Sequence, residues 1–235
     1  MENSTPYIGV TGLTSKSEVE QVVSLFEEKK FSHYIPMLGF LVSYKTLNNI
    51  PTENKRYPKI EALPELLRVL EGKKVFPTIH YNSREPDLFN QISLIFNSRI
   101  YQENFCRGLQ LNIPWPDLNE LKVIKSVYPE LKIIFQASKE VLSFGTAKEI
   151  ASRIKSEYSS LIDYLLIDPS GGNGIPLNLE NSCNLYQELS SKLPELIIGF
   201  AGGFSGENVF SRINSLEKTL GGLNFSLDAE GRFTR

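Results

Sequence analysis

Tyr164-Leu-Leu-Ile-Asp168-Pro-Ser-Gly-Gly-Asn-Gly174 is the stretch that decides the reading of this chain. Its four apolar residues are too few for a helix and have no polar residue between them, which fits a strand buried on both faces. The acid that ends the run and the glycines behind it mark a turn reaching solvent. Outward from this stretch the same design recurs, with apolar runs at 7–10, 37–42, 74–79, 108–111, 132–135, 196–201 and 223–227. Between the runs lie stretches of helical period. Val19, Val22, Val23 and Phe26 share one helix face, as do Leu63, Leu66, Leu67 and Leu70, and Leu88, Ile92, Ile95 and Phe96. Ile150, Ile154 and Tyr158 follow, then Leu185, Leu189 and Leu193, then Val209, Ile213, Leu216 and Leu220.

Parallel neighbours need a crossover, and a helix is the usual one. Eight such strands in 235 residues predict an α/β fold: a closed TIM (β/α)8 barrel of eight parallel strands over residues 1–235 as one domain. An open doubly wound sheet would carry a glycine-rich dinucleotide fingerprint after its first strand, and Gly9-Val-Thr-Gly-Leu-Thr14 is not one. The longest non-periodic piece, 44–59, is the expected loop after strand two. Only eight residues follow Leu227, so a final outer helix is missing from the expected count. The groove this leaves is a candidate homodimer surface, since uncovered apolar strips favour association.

Composition excludes several classes. With 25 lysines and arginines against 27 aspartates and glutamates, the net charge of -2 gives no cation excess for coating nucleic acid. The N-terminus lacks a basic segment followed by a long apolar one, and no apolar run approaches the ~20 residues of a membrane span. Cys106 and Cys183 are too few for a disulfide framework, so a cytoplasmic protein is expected.

In a barrel of this kind, function sits at the C-terminal ends of the strands. Those positions hold Thr11, Ser43, Tyr44, His80, Asn112, Gln136, Asp168, Gly202, Gly203, Asp228 and Glu230. Asp168, flanked by apolar walls, suits general acid or base work. His80, one of two histidines, has the intrinsic pKa range for proton transfer. Gly171, Gly172 and Gly174 after strand six, and Gly202 and Gly203 after strand seven, let backbone N–H groups approach an anion. Ser205 is expected to open the next helix, where a phosphate would meet the N-terminus. No His-x-His or paired-Cys spacing points to a metal, so no metal or cofactor is expected. No lysine ends a strand, which disfavours Schiff-base chemistry, and no Gly-x-Ser-x-Gly elbow is present.

These residues resemble the phosphoribosylanthranilate isomerase family. The resemblance is carried by Val10-Thr-Gly-Leu-Thr14, Gly39-Phe-Leu-Val42, Lys55-Arg-Tyr-Pro58, Gln110-Leu-Asn112, Leu166-Ile-Asp168 with Gly171-Gly-Asn-Gly174, and Ala201-Gly-Gly-Phe-Ser-Gly-Glu-Asn-Val209. It implies a (β/α)8 barrel that isomerises a small phosphorylated sugar derivative, with Asp168 as general acid. The family's catalytic cysteine is replaced by Thr11, whose hydroxyl is too weak an acid to supply a base. The family's serine-rich ending becomes Ser226-Leu-Asp-Ala-Glu-Gly-Arg232, which adds Asp228 beside Thr11. The expectation is therefore a divergent relative in which Asp228 or His80 takes over proton transfer. Arg56, Asn112, Gln136, the glycines, Ser205 and Ser226 are the candidate ligand contacts. The alternative is a barrel that binds a phosphorylated ligand without turning it over.

Overall fold

In the computed structural model the strands β1 (Tyr7–Thr11), β2 (Ile35–Ser43), β3 (Phe76–Asn82), β4 (Gly108–Leu111), β5 (Lys132–Ala137), β6 (Tyr164–Ile167), β7 (Ile197–Ala201) and β8 (Ser226–Glu230) all run parallel. They close in chain order, with β8 returning to β1 through the register Gly9↔Asp228 and Thr11↔Glu230. Residues 5–29, 31–96, 99–103, 105–170, 179–222 and 224–230 are described. Gly171, Gly172 and Gly174, three of the glycines expected to meet an anion, lie outside them.

The helices are α1 (Lys16–Glu28), α2 (Tyr44–Leu47), α3 (Leu63–Arg68), α4 (Leu88–Phe96), α5 (Arg99–Gln102), α6 (Leu118–Val127), α7 (Lys139–Leu142), α8 (Ala147–Arg153), α9 (Leu179–Lys192) and α10 (Val209–Leu220). Local chemistry sets their starts. Ser15 accepts from the Glu18 N–H while the Glu18 carboxylate accepts from the Ser15 and Thr14 N–H groups, so α1 opens on a capping box. Thr146 and Glu149 repeat the device at α8. The apolar helix faces then pack on the outside of the strands, and Val19, Leu67, Ile92, Ile124, Ile150, Leu189 and Leu216 join one continuous shell. The helix α6 has only Leu121 and Ile124 buried, a pair too sparse to stand out as a periodic stretch.

Two strand boundaries differ from the apolar runs in a way that matters for the site. The strand β3 continues to Asn82 and β8 begins at Ser226 and ends at Glu230. Both stretches carry polar residues on alternate positions because their inner faces line the mouth of the barrel. Hydropathy alone therefore stops short in β3 and starts early in β8. On the outside of the β8–β1 pair, Ile8, Leu227 and Ala229 are half-buried. Among the described residues no helix is long and apolar enough to cross a membrane.

Candidate active site

Alternate residues of each strand face into the barrel. At the lower level these are apolar. Tyr7, Met37, Phe76, Ile134, Tyr164 and Leu166 form a core of their own, with ring centroids of Tyr7 and Tyr164 5.5 Å apart and those of Phe76 and Tyr164 5.7 Å apart. Above this floor the inward positions turn polar. Thr11, His80, Gln110, Gln136, Asp168 and Asp228 are all buried. Such groups are stable inside only when they bond one another, and they do.

Asp168 follows β6 directly, and its N–H is bound by the Ala137 carbonyl. Its Oδ1 accepts from the Ser170 N–H at 2.9 Å and the Ser170 hydroxyl at 2.6 Å, and its Oδ2 accepts from Gln136 Nε2 at 2.7 Å. Burial pushes its carboxyl pKa up, and the Ser170 donors oppose that by favouring the ionised form.

Asp228 stands across from it on β8. Gly9 gives it room, since a Cβ there would lie 3.0 Å from Asp228 Oδ1 and 2.5 Å from the Met37 methyl. Thr11 Oγ1 donates to Asp228 Oδ1 at 3.0 Å, so the threonine orients the carboxyl. Burial first, then the charge of Glu230, pushes the Asp228 pKa up to about 7; the charge of Asp168 adds to the rise, and hydrogen bonds from Thr11 and Gln110 oppose it. Two carboxyls of the same barrel mouth are thus held differently, Asp168 by three donors and Asp228 in company that disfavours its charge.

Glu230, two residues further along β8 and hence on the same inner face, completes the mouth. Its Oε1 accepts from Arg56 Nη1 at 2.6 Å, and its Oε2 lies 3.6 Å from His80 Nδ1. In the sequence Glu230 stands at a strand end with no role evident from its neighbours. The i, i+2 spacing from Asp228 was the signal. Arg56, from the loop after β2, is bound to this carboxylate across the mouth. His80 is buried beneath, against Glu230 and 3.5 Å from Gln110 Nε2.

The pocket at the mouth is lined by Asp168, Ser170, Ala201, Gly202, Gly203, Asp228 and Glu230. Gly202 and Gly203 have φ of 114° and 63°, a region open to glycine and strained for other residues. Arg212 Nη1 donates to the Gly202 carbonyl at 2.6 Å and Asn208 Nδ2 to the Gly203 carbonyl at 2.9 Å. In a trans peptide the N–H points opposite the preceding carbonyl. The N–H groups of Gly203 and Phe204 therefore face away from the Arg212 and Asn208 side chains.

Three expected ligand contacts are placed elsewhere. Ser226 is buried four residues below Glu230, with its Oγ accepting from the Tyr7 N–H at 3.0 Å, so it braces the closure of β8 on β1 rather than the mouth. Gln136 is 1% exposed and bonds Asp168 and Gln110, so it supports the pocket from beneath. Ser205 does not open a helix. The helix α10 starts at Val209, and the Ser205 N–H is taken by Asn208 Oδ1 at 3.0 Å. Asn112 sits half-buried just beyond β4, its N–H on the Tyr81 carbonyl. Among the described residues, no group of three or more His, Cys, Asp and Glu is arranged to hold a metal ion.

No family model matches the chain, and no curated protein matches it. Solved structures do match. A protein of Coccidioides immitis assigned as a deoxyribose-phosphate aldolase aligns with a TM-score of 0.61 at 12% identity, over 96% of this chain and 80% of its own. The YdjI aldolase of Escherichia coli K12 aligns with 0.56 at 13%, over 95% and 74%. A mandelate racemase/muconate lactonizing protein of Herpetosiphon aurantiacus aligns with 0.54 at 9%, over 94% and 54%. This chain is a TIM (β/α)8 barrel. Identities at this level establish the fold and leave the chemistry to the residues of the site.

Proposed function

We propose that the mouth is a proton-transfer site that isomerises a small phosphorylated sugar-type molecule. The observation that carries this reading is the pair of buried carboxyls opening on one pocket in unlike hydrogen-bonding environments. Asp228, which holds its proton towards neutrality, donates it to a carbonyl oxygen of the substrate. Asp168, whose ionised form is favoured by its three donors and whose basicity is raised by burial, takes a proton from the adjacent carbon. The product of that step is an enediol. Returning a proton to the neighbouring carbon and one from the enediol oxygen to Asp228 completes an aldose–ketose exchange with no net gain or loss of atoms. These roles reverse the expectation from the family resemblance, in which Asp168 is the acid. The reason is physical: a carboxylate with three donors gains least from holding a proton.

The phosphate belongs at the rim, away from the three carboxylates. The left-handed Gly202–Gly203 turn and the outward N–H groups it presents support that placement. Arg56 is already paired with Glu230, so an anionic substrate group would have to compete for it.

The test is proton exchange. Phosphorylated aldoses and ketoses are incubated with the protein in D2O and followed by 1H NMR. Loss of the signal beside the carbonyl, abolished in Asp168→Asn, is the expected result. No exchange across the panel would reject the isomerase reading. The replacement of the family's cysteine by Thr11 favours one rival, a barrel that only binds a phosphorylated ligand. That rival predicts binding of the same compounds by wild type and Asp168→Asn alike, with no exchange in either.

We further propose that the half-exposed outer face of the β8–β1 pair, at Ile8, Leu227 and Ala229, seats a second copy of the chain. Sedimentation of wild type and Leu227→Ser tests this: a dimer converted to a monomer is expected, and a monomeric wild type rejects it.

A further inference from the structure

Arg56 and His80, which reach the mouth from the loop after β2 and from β3, both face one carboxylate. Glu230 Oε1 accepts from Arg56 Nη1 at 2.6 Å, and Glu230 Oε2 lies 3.6 Å from His80 Nδ1. Arg212 is engaged outside the pocket, where Nη1 donates to the Gly202 carbonyl at 2.6 Å and the guanidinium lies 5.5 Å from the centre of the Phe204 ring. The pocket itself is lined by the carboxyls of Asp168, Asp228 and Glu230, and among the described residues no lysine, arginine or histidine lines it.

Arg56 is held in place by more than Glu230. Its N–H donates to Asn54 Oδ1 at 3.0 Å, and its stem lies along Gly12, where an added Cβ would sit 3.5 Å from Arg56 Cβ and Cδ. The next residue, Tyr57, is hydrogen-bonded to Asn82 at the end of β3. The guanidinium therefore stays at the edge of the pocket when its carboxylate partner is removed. Burial pushes both aspartate pKa values up, and the charge of Glu230 adds to each rise. Pairing with Arg56 thus leaves the pocket negative.

We infer that Glu230 is a specificity-determining residue: it fills the anion seat of Arg56, so the pocket admits phosphorylated molecules whose reacting end is an uncharged carbonyl and rejects those with a carboxylate there. A carboxylate at that end would meet the Asp168 and Glu230 charges with no cation free to receive it. To reach Arg56 it would have to displace Glu230, whose own charge would then stand unpaired in the same pocket. Glu230 also competes from within the chain, so it loses no freedom of association that a ligand must give up. A neutral carbonyl oxygen makes no such demand and needs only a hydrogen-bond donor. The inference rests on the phosphosugar reading of the pocket, and it narrows the substrate class to aldose and ketose phosphates as against phosphorylated sugar acids.

The test is calorimetric titration with phosphorylated aldonates of graded chain length and their matching carboxamides, which differ only in the charge of the end group and are not turned over. Wild type should bind the carboxamides more tightly than the acids, by on the order of 100-fold. Glu230→Gln keeps the shape and removes the charge, so Arg56 is released. That preference should shrink by at least ~10-fold, through tighter binding of the acids rather than weaker binding of the carboxamides. Adding Arg56→Gln to Glu230→Gln should abolish the gain. If Glu230 is only structural, its replacement weakens both series alike, and the inference is overturned. A wild type that binds acids as tightly as carboxamides overturns it even where the variants fail to fold. Binding without a charge preference leaves the phosphosugar reading standing, whereas binding of neither series by wild type or variant rejects that reading and the inference together.

Discussion

The inside of this barrel is two regions built on the same eight strands. At the N-terminal end, Tyr7, Phe76 and Tyr164 pack rings against one another and Met37, Ile134 and Leu166 fill between them. At the C-terminal end the same inward positions carry Asp168, Asp228, Glu230, His80, Gln110 and Gln136, held by hydrogen bonds and one ion pair to Arg56. The floor gains stability from burial. The mouth gives up stability to keep carboxyls out of water, which is the arrangement expected where proton affinities are being set.

The contrast can be broken from either end. The largest effect should come from the floor: Phe76→Ala removes a ring from the aromatic cluster and should cost about 3–5 kcal/mol in urea unfolding. At the mouth, Asp228→Asn should instead remove a pH dependence. The folded protein keeps the Asp228 proton from its ordinary 3.8 up to about 7. Between those values the unfolded chain binds fewer protons, so stability falls as pH rises through the window, by on the order of 4 kcal/mol. Burial also raises Asp168, which adds to the same sign. Subtracting the Asp228→Asn profile from that of wild type should isolate the Asp228 slope, whereas Phe76→Ala should lower stability at every pH. Third, Asp168→Asn should reduce proton exchange in the substrate ~100-fold or more, with little change in ligand affinity. The smallest change belongs to Arg56→Gln. Its ion pair with Glu230 is partly exposed, so thermal or urea unfolding should shift by less than about 1 kcal/mol, and less still in high salt.

The two regions also differed in how openly the sequence announced them. The outer shell was readable because its residues face apolar surroundings on both sides of the strand, as in Tyr164–Ile167 and Gly108–Leu111. The placement of Asp228 beside Thr11 followed from closure alone, since β8 must return to β1. The mouth was harder. Ser226-Leu-Asp-Ala-Glu230 alternates polar and half-buried apolar residues, so the apolar run at 223–227 begins three residues before the strand. The shift carried Glu230 out of the strand; Ser226, a candidate through the family resemblance, sits below the rim on the Tyr7 N–H. Gln110 lay inside a recognised strand, yet only side-chain geometry shows what its amide bonds. Ser205 stands four residues before the start of α10, and the Asn208 side chain occupies the N–H expected to meet a phosphate.

The central claim is that one pocket presents an ionised Asp168 and a protonated Asp228. Neutron diffraction from crystals exchanged into D2O near pH 6 reads this directly. The account predicts a deuteron on Asp228 and none on Asp168. Two bare carboxylates, or a deuteron on Asp168, would contradict it.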